Sequence, residues 1–377
     1  MNHIVKLGTV ATYVNGYAFK PSDWSDVGVP IIRIQDLTGN SYQMNRFSGE
    51  YDKKYEVQNG DVLIAWSASL GVYVWKSEKA VLNQHIFKVY FDKVDVDKDF
   101  FVYQMERLLQ KASSQAHGAT MRHLTKVVFD NLPFYLPDKE TQIEIAKRLS
   151  TVTALIDLRK KELVKLDELV KSRFIEMFGD PVTNPYGFDI LPIGDFATDV
   201  RYGTSKPAVE GGRYPYLRMN NLTIDGHLDL HDLKRIDIND DELEKCIVRK
   251  GDVLFNRTNS VELVGKTAYY GLNEDMIIAG YIIRVRVNEL VHPLYFASYM
   301  NMPFTKQVIR NMAKGAVNQA NINSQELKSI KVMIPSIELQ REFVNFYNGI
   351  EKSKIAIQKS LDELETLKKS LMQQYFG

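Results

Sequence analysis

The chain carries one cysteine, Cys246, among 377 residues. A lone thiol excludes an intramolecular disulfide and leaves no thiolate cluster for a metal. No apolar run approaches the roughly 18 residues that suggest a membrane span. The opening "MNHIVKLGTVAT" lacks the apolar core of a secretory signal, so a cytoplasmic protein is expected. An excess of one charge is missing too. The 48 Lys and Arg residues nearly balance 47 Asp and Glu, leaving a formal net charge of +1. Any basic surface must therefore be local. Also absent are a GxxxxGK[ST] phosphate loop, an HExxH helix and a paired Cys/His site. No glycine-rich cofactor loop follows a strand. What remains is 45% hydrophobic and 25% charged, an ordinary globular composition with room for two or three domains.

The chain repeats itself. "GDVL" occurs at 60–63 and at 251–254. Around it, "LGTVATYVNGYAFKP" (7–21) lies over "IGDFATDVRYGTSKP" (193–207), and "VPIIRIQDLTG" (29–39) lies over "YPYLRMNNLTI" (214–224). "AHGA" (116–119) matches "AKGA" (313–316), and Pro137, Gln142 and Phe178-Gly179 match Pro335, Gln340 and Phe376-Gly377. The order is kept and the offset grows slowly, as loop insertions in the second copy would produce. This is a tandem duplication of a unit of roughly 180 residues, far longer than a solenoid repeat.

Each copy has the same grammar. Short β-rich runs ("VPIIRI", "DVLIAW", "HIFKVYF"; "DVLFN", "YIIRVRV") come first. A helix-like stretch follows near 99–114 and 293–314, then a Gly-containing loop and a short strand ending in proline. The unit closes with a long stretch lacking proline, 138–178 and 336–376, with Gly349 its one glycine. There, Ile145, Val152, Arg159, Leu166 and Arg173 recur every seven residues, with Leu149, Ile156, Leu163, Val170 and Met177 beside them. The second copy has Phe343, Ile350, Ile357, Leu364 and Leu371, with Phe346 and Leu367 as an expected second stripe. Heptads with charged flanks predict coiled-coil packing. About 40 residues at about 1.5 Å each give helices of about 60 Å. Two such helices most simply pack on each other, antiparallel; two unrelated amphipathic helices are the alternative. The fold class expected is mixed α/β: two similar globular modules separated by two long helices packed as an antiparallel coiled coil, with an internal pseudo-two-fold repeat.

Charge placement points to what the modules meet. No acid lies between Leu290 and Gln325, a stretch carrying Lys306, Arg310 and Lys314 on one helical face. Arg107 to Phe129 is also free of acids and holds His117, Arg122, His123 and Lys126. Asn318 and Gln319 follow the second loop. Such residues suit phosphates and base edges. A solvated helix face is the alternative, and recurrence in both copies favours nucleic acid. After GDVL, a strand would run into a loop showing Trp66, Ser67 and Ser69 in one copy and Asn256, Arg257, Thr258 and Asn259 in the other. "IIRIQD" as a strand would show Arg33 and Gln35 on one face, and "YLRMNN" Arg218 and Asn220. The matched arginines suit phosphate or scaffold; Gln35 and Asn220 differ and suit base reading. Lys20 and Lys206, each before a proline, are candidate anchors. Tyr17 and Tyr202 read as paired core tyrosines in preference to stacking platforms.

Two fragments resemble catalytic motifs and fail on inspection. "NLPF" (131–134) approaches the Asn-Pro-Pro-Phe/Tyr motif of amino-methyltransferases, but Leu132 replaces a proline and the second copy reads "SIKV". "PDKETQIEIAK" (137–147) faintly suggests a metal nuclease, but Glu144 and Lys147 have the wrong spacing and sit on the heptad helix. His85 has no histidine counterpart, since Ala279-Gly280-Tyr281 replaces its "NQH" context.

With these phrases, "NGDVL", "LNQHIFKV", the Gly118/Gly315 loops, the Pro137/Pro335 helix starts with Glu140 and Gln142, and the linker "MFGDPVTNPYGF", the chain resembles the specificity subunits of Type I restriction–modification enzymes over nearly its whole length. The resemblance implies target recognition domains at 1–137 and 180–335, a central conserved helix at 138–179 and a C-terminal one at 336–377. It implies a non-catalytic reader of a bipartite, asymmetric site in double-stranded DNA, with the helices setting the spacer. It further implies two modification subunits as partners and two restriction subunits in the full complex. S-adenosylmethionine, ATP and Mg would then belong to those partners, with no cofactor on this chain. A duplicated rod would let two identical partners dock equivalently. A self-sufficient DNA adenine methyltransferase and a coiled-coil protein-binding scaffold are the rival readings.

Overall fold

The computed structural model describes residues 4–41, 43–115, 125–313 and 320–377. It comprises two compact units, Met1–Lys161 with Gln358–Gly377, and Glu162–Ile357.

In the first unit the strands are β1 (Ile4–Lys6), β2 (Thr12–Asn15), β3 (Val29–Ile32), β4 (Arg46–Phe47), β5 (Glu56–Val57), β6 (Val62–Ala65), β7 (Gly71–Val74), β8 (Ala80–Leu82), β9 (Ile86–Tyr90) and β10 (Pro133–Tyr135). They form an antiparallel sheet β2-β9-β6-β7, a mixed sheet β4-β3-β8-β5 with β3 and β8 parallel, and the pair β1-β10. The helices are α1 (Ile34–Leu37), α2 (Lys98–Gln115), α3 (Lys126–Asp130) and the start of α4 (Lys139–Phe178).

The second unit repeats this order. Its strands are β11 (Asp189–Pro192), β12 (Ala197–Tyr202), β13 (Tyr214–Leu217), β14 (Lys234–Ile236), β15 (Ile247–Val248), β16 (Val253–Asn256), β17 (Thr258–Asn259), β18 (Thr267–Tyr269), β19 (Met276–Ile278), β20 (Ile282–Val287), β21 (Ala320–Asn321) and β22 (Lys331–Ile334). Sheets β12-β20-β16-β18 and β14-β13-β19-β15 and the pair β11-β22 match those of the first unit, and β17-β21 is a further pair without a counterpart among the first unit's described residues. The helices are α5 (Ile193–Phe196), α6 (Asp240–Cys246), α7 (Pro293–Asn301), α8 (Pro303–Met312), α9 (Ser324–Ser329) and α10 (Ile337–Phe376), the last ending in the first unit. The single helix expected over 293–314 is broken at Met302, where Pro303 cannot continue the preceding helix and instead starts the next.

The repeated GDVL is the centre of each unit. Gly60 and Gly251 adopt φ of 93° and 100°, a region glycine enters without Cβ strain. The following strands are central, and their residues alternate between two cores. Val62 and Ile64 enter one cluster while Leu63 enters another; Val253 and Phe255 enter one while Leu254 enters another. A strand covered on both faces reads as a continuous apolar run, which is why no polar alternation marks it.

The helix starts are also duplicated in detail. Buried Gln142 donates to Pro137 O at 2.8 Å and accepts from the Asp97 N–H at 2.8 Å. Buried Gln340 donates to Pro335 O at 2.8 Å and accepts from the His292 N–H at 2.7 Å. Each amide thus ties the long helix to the entry of α2 or α7.

Along α4 every residue of the expected stripe from Ile145 to Met177 is buried or half-buried. On α10 the second stripe differs from expectation. Leu367 is exposed, and the inward row is Tyr347, Lys354, Leu361, Lys368 and Tyr375, four residues after each member of the first stripe. The row holds two lysines, so apolar pattern alone misses it. Lys354 is half-buried against Asp167 and lies 2.9 Å from Glu351. Burial alone would lower its pKa, but these two carboxylates raise it. Within each unit the helices run antiparallel. In the first, Arg148 reaches the Tyr375 hydroxyl at 3.3 Å and Lys160 pairs with Glu365 at 3.0 Å. In the second, Arg173 pairs with Glu342 at 3.1 Å.

Tyr17 and Tyr202 are not structural counterparts, and neither is core. Both are exposed. A register shift between Ala197 and Asp199 in β12 adds one residue, as a bulge does. Gly16 and Gly203 are therefore the equivalent pair, each lying against a backbone carbonyl of Asn83 or Ile278 that leaves no room for a Cβ. Tyr202 then takes the place of Asn15: Tyr202 is opposite Ile283 and Asn15 opposite Phe87 in the matching strand pairs.

Candidate nucleic-acid interface

The end of β16 brings several of the expected residues together. The Arg257 N–H donates to Tyr281 O at 2.9 Å, and the Ile322 N–H donates to Arg257 O at 2.9 Å. These bonds hold Arg257 between the β19–β20 turn and β21. Its guanidinium lies 4.8 Å from the Tyr202 ring centre, a cation–π geometry, and its Nε reaches Ile322 O at 3.4 Å. Asn259 is half-buried, and its amide donates to Asn256 Oδ1 at 2.9 Å. Asn256 is not displayed. It is fully buried and donates to Thr258 O and Tyr281 O at 3.1 Å each. Its side chain braces the loop because β16 is a central strand whose last residue still lies under the next segment.

The first unit builds the same place differently. The Trp66 N–H donates to His85 O at 3.2 Å, as Arg257 does to Tyr281. Its indole donates to Asn15 Oδ1 at 3.2 Å and stacks on Phe87 with ring centres 5.6 Å apart. Position for position, Asn15 with Trp66 stands where Tyr202 with Arg257 stands in the second unit. Ser69 is exposed here, whereas Ser67 is buried and does not face outward. The left-handed Ala68, φ 58°, turns the chain between them.

The second pair of expected readers lies on a turn, not on a strand. β3 stops at Ile32 and β13 at Leu217, so Arg33 and Arg218 cap a following turn. The side chains three residues on, Asp36 and Asn221, accept the Arg33 and Arg218 N–H groups at 2.8 Å each. This capping ends the strand alternation. Gln35 and Asn220 emerge exposed at equivalent positions. The arginines are held internally: Arg33 lies 3.6 Å from Asp36 and over the Trp24 ring, and Arg218 donates to Asp232 at 2.8 Å.

The remaining basic residues divide. Lys20 and Arg310 are exposed. Lys206 is paired with Glu242, whose hydrogen bond raises its pKa. Lys306 does not share an outward face with Arg310. Its amine donates to Gly265 O at 2.5 Å. Burial, with the nearby Arg310 and Lys266 charges, lowers its pKa to about 7. The α8 face carrying Lys306 packs toward the β18 edge, which periodicity alone does not reveal. His117, Arg122, His123, Lys314, Asn318 and Gln319 lie outside the described residues.

Sequence reading missed Tyr281 and Asn321, both exposed beside Arg257. The replacement of "NQH" by Ala279-Gly280-Tyr281 was the available signal for Tyr281. It also missed Lys266, a buried amine donating to Met219 O at 2.6 Å. "NLPF" supplies Asn131, whose amide donates to Val127 O at 2.8 Å within the α3 cap, and β10. Among the described residues, no group of three or more His, Cys, Asp or Glu side chains could hold a metal, and no helix is long and apolar enough to cross a membrane.

Residues 2–168 and 188–368 each match the family model described as the Type I restriction modification DNA specificity domain. The chain is 25% identical to the Type I restriction enzyme EcoBI specificity subunit of Escherichia coli, over 99% of this chain and 85% of that one. The fold is similar to the crystal structure of the Type I restriction–modification S subunit from M. genitalium, at a TM-score of 0.60 and 14% identity, covering 99% and 96% of the two chains. A chain from a structure of complex assembly and conformational transition in the type I R-M system is similar at a TM-score of 0.59 and 16% identity, covering 99% and 97%.

Proposed function

The chain belongs to the Type I restriction modification DNA specificity domain family, and from that premise we propose that it is the non-catalytic specificity subunit of a Type I restriction–modification complex. The observation that carries this reading is one scaffold built twice with different side chains at equivalent displayed positions. Asn15 with Trp66 is replaced by Tyr202 with Arg257, and exposed Gln35 by exposed Asn220. A repeated scaffold with unequal displays suits two different half-sites, because base edges are told apart by donor and acceptor pattern.

Each unit reads one half of a bipartite, asymmetric site in double-stranded DNA. The recognition domains span 1–137 and 180–335. The helices at 138–179 and 336–377 pack as an antiparallel coiled coil and set the unread spacer. The partners are two modification subunits that hold S-adenosylmethionine, joined in the full complex by two restriction subunits that use ATP and Mg. The complex works in the cytoplasm. Support for the partners comes from the names of the relatives, and support for equivalent docking from the duplicated helices.

Methylome sequencing of a host expressing this chain with its modification partner tests the reading. A two-part motif with a fixed gap is expected, and modification without sequence preference overturns it. The isolated chain should not bind S-adenosylmethionine; binding would favour the self-sufficient methyltransferase. DNA retention on filters should fall steeply with salt, and its absence even with partners would favour the protein-binding scaffold.

A further inference from the structure

The turns that display Gln35 and Asn220 are of different kinds. In the first unit the Thr38 N–H donates to Ile34 O at 3.0 Å, closing a turn of α-helix. The equivalent acceptor in the second unit is Met219 O, and it receives the Lys266 amine at 2.6 Å instead. The chain there makes only a three-residue 3-10 turn, Met219–Asn221, and Leu222 leaves it extended, with φ −98° and ψ 122°. The Thr223 N–H, counterpart of that of Thr38, donates to His227 O at 3.0 Å.

Lys266 has no counterpart in the first unit. Strand pairing places Gly71 opposite Ala65, and the Asn256 N–H donates to Lys266 O at 2.8 Å; Ala65 and Asn256 are matched through GDVL. A side chain at Gly71 would collide with the Tyr73 ring. The two units therefore differ at the residue that decides how the reading turn is closed. A buried carbonyl needs a donor, and whichever donor reaches it selects the turn: a backbone N–H four residues on winds an α-turn, while an outside amine lets the chain depart.

Resting on the reading above, we infer that Lys266 is a specificity-determining positioning residue, which replaces the helical hydrogen bond at Met219 O and so sets how Asn220 is presented to the second half-site. Lys266 acts from beneath the turn. It is 7% exposed and so does not itself meet DNA. Asn221 holds the same turn from within, its amide donating to Asp229 O at 2.8 Å and its backbone carbonyl accepting from the Asp229 N–H at 2.8 Å. Burial lowers the Lys266 pKa, and the amine donates in either protonation state.

The test compares methylation motifs directed by the full chain, with its modification partner, for wild type, Lys266→Met, Asn220→Ala and the double variant. Lys266→Met keeps the buried bulk and removes the donor. It should relax discrimination about tenfold at the base positions that Asn220→Ala relaxes, leaving the other half-site unchanged. The double variant should lose no more than Asn220→Ala alone, because both act through one turn. An unchanged motif for a folded Lys266→Met chain overturns the inference, as do additive losses or equal losses in both half-sites. Should Lys266→Met fail to fold, Lys266→Arg, which keeps a donor, serves in its place: a wild-type motif supports the inference, and a relaxed motif in the other half-site refutes it. A wild-type chain that directs no sequence-specific modification sinks the functional reading as well, and so is distinguishable.

Discussion

Asp252 accepts a hydrogen bond from the Nε of Arg286 at 2.7 Å. Its other oxygen accepts the Arg249 N–H at 2.9 Å, so one buried carboxylate closes the turn before β16 and ties it to β20. The first unit does the same from a different position on the neighbouring strand. Asp61 pairs with Lys88 at 2.7 Å and accepts the Gln58 N–H at 2.7 Å. The aspartate of GDVL is thus kept while its cation moves by two residues, which stays on the same sheet face.

Asp252→Ala should destabilise the second unit by about 2–4 kcal/mol, since it strands both the Arg286 charge and a backbone donor. Urea unfolding followed by tryptophan-independent circular dichroism reads the loss. A change below about 0.5 kcal/mol, the range of ordinary surface substitutions, would show that the turn holds without it.

Gln340→Leu should cost about 3 kcal/mol. The substitution leaves Pro335 O, Leu290 O and the His292 N–H without the partner now found at 2.8, 3.0 and 2.7 Å. Amide hydrogen exchange at His292 should speed up sharply. Unchanged protection there would mean that the helix start is held by packing alone.

Lys306 predicts a pH dependence of stability. Its folded pKa is lowered to about 7, below that of a free lysine at about 10.4. Between those values the unfolded chain binds more protons, so stability rises with pH across this window. Lys306→Met removes the titration. Its stability advantage over wild type should be largest near pH 7 and shrink toward pH 10. A difference independent of pH would show that the amine remains fully charged when folded.

Arg257→Ala should relax recognition in one half-site only, by about tenfold at the affected base position. Tyr202→Ala should weaken the same position by a smaller factor, because the ring orients the guanidinium that lies 4.8 Å away. Motifs from methylome sequencing report both. Equal effects on the two half-sites would make Arg257 part of the shared scaffold.

The duplication, the apolar strands after GDVL and the long helices were legible because they rest on local order along the chain. Glycine at a left-handed position and a strand buried on both faces leave marks within a few residues, as Gly60 to Leu63 and Gly251 to Leu254 show. The heptads of α4 were legible for the same reason. On α10 the inward Lys354 and Lys368 interrupt the apolar pattern, so hydrophobicity alone points to Leu367 instead of its neighbours.

The candidate site was legible only in part. Gln35, Asn220, Ser69 and Arg310 are exposed, but Ser67 and Asn256 are buried, and Lys306 turns to Gly265. A basic residue's type does not say which carbonyl or carboxylate reaches it first. Lys206 meets Glu242, Arg218 meets Asp232, and Lys266 meets Met219.

The twice-written unit, the apolar strands of its cores and its basic stretches are all readable along the chain, because periodicity and composition are properties of neighbouring residues. That Tyr202 stands in the place of Asn15, through a one-residue register shift in β12, and that Lys266 reaches the turn displaying Asn220 depend on the folded chain. Those choices join segments far apart in the chain, and hydrogen-bond reach of about 3 Å is settled by packing, not by order along the sequence.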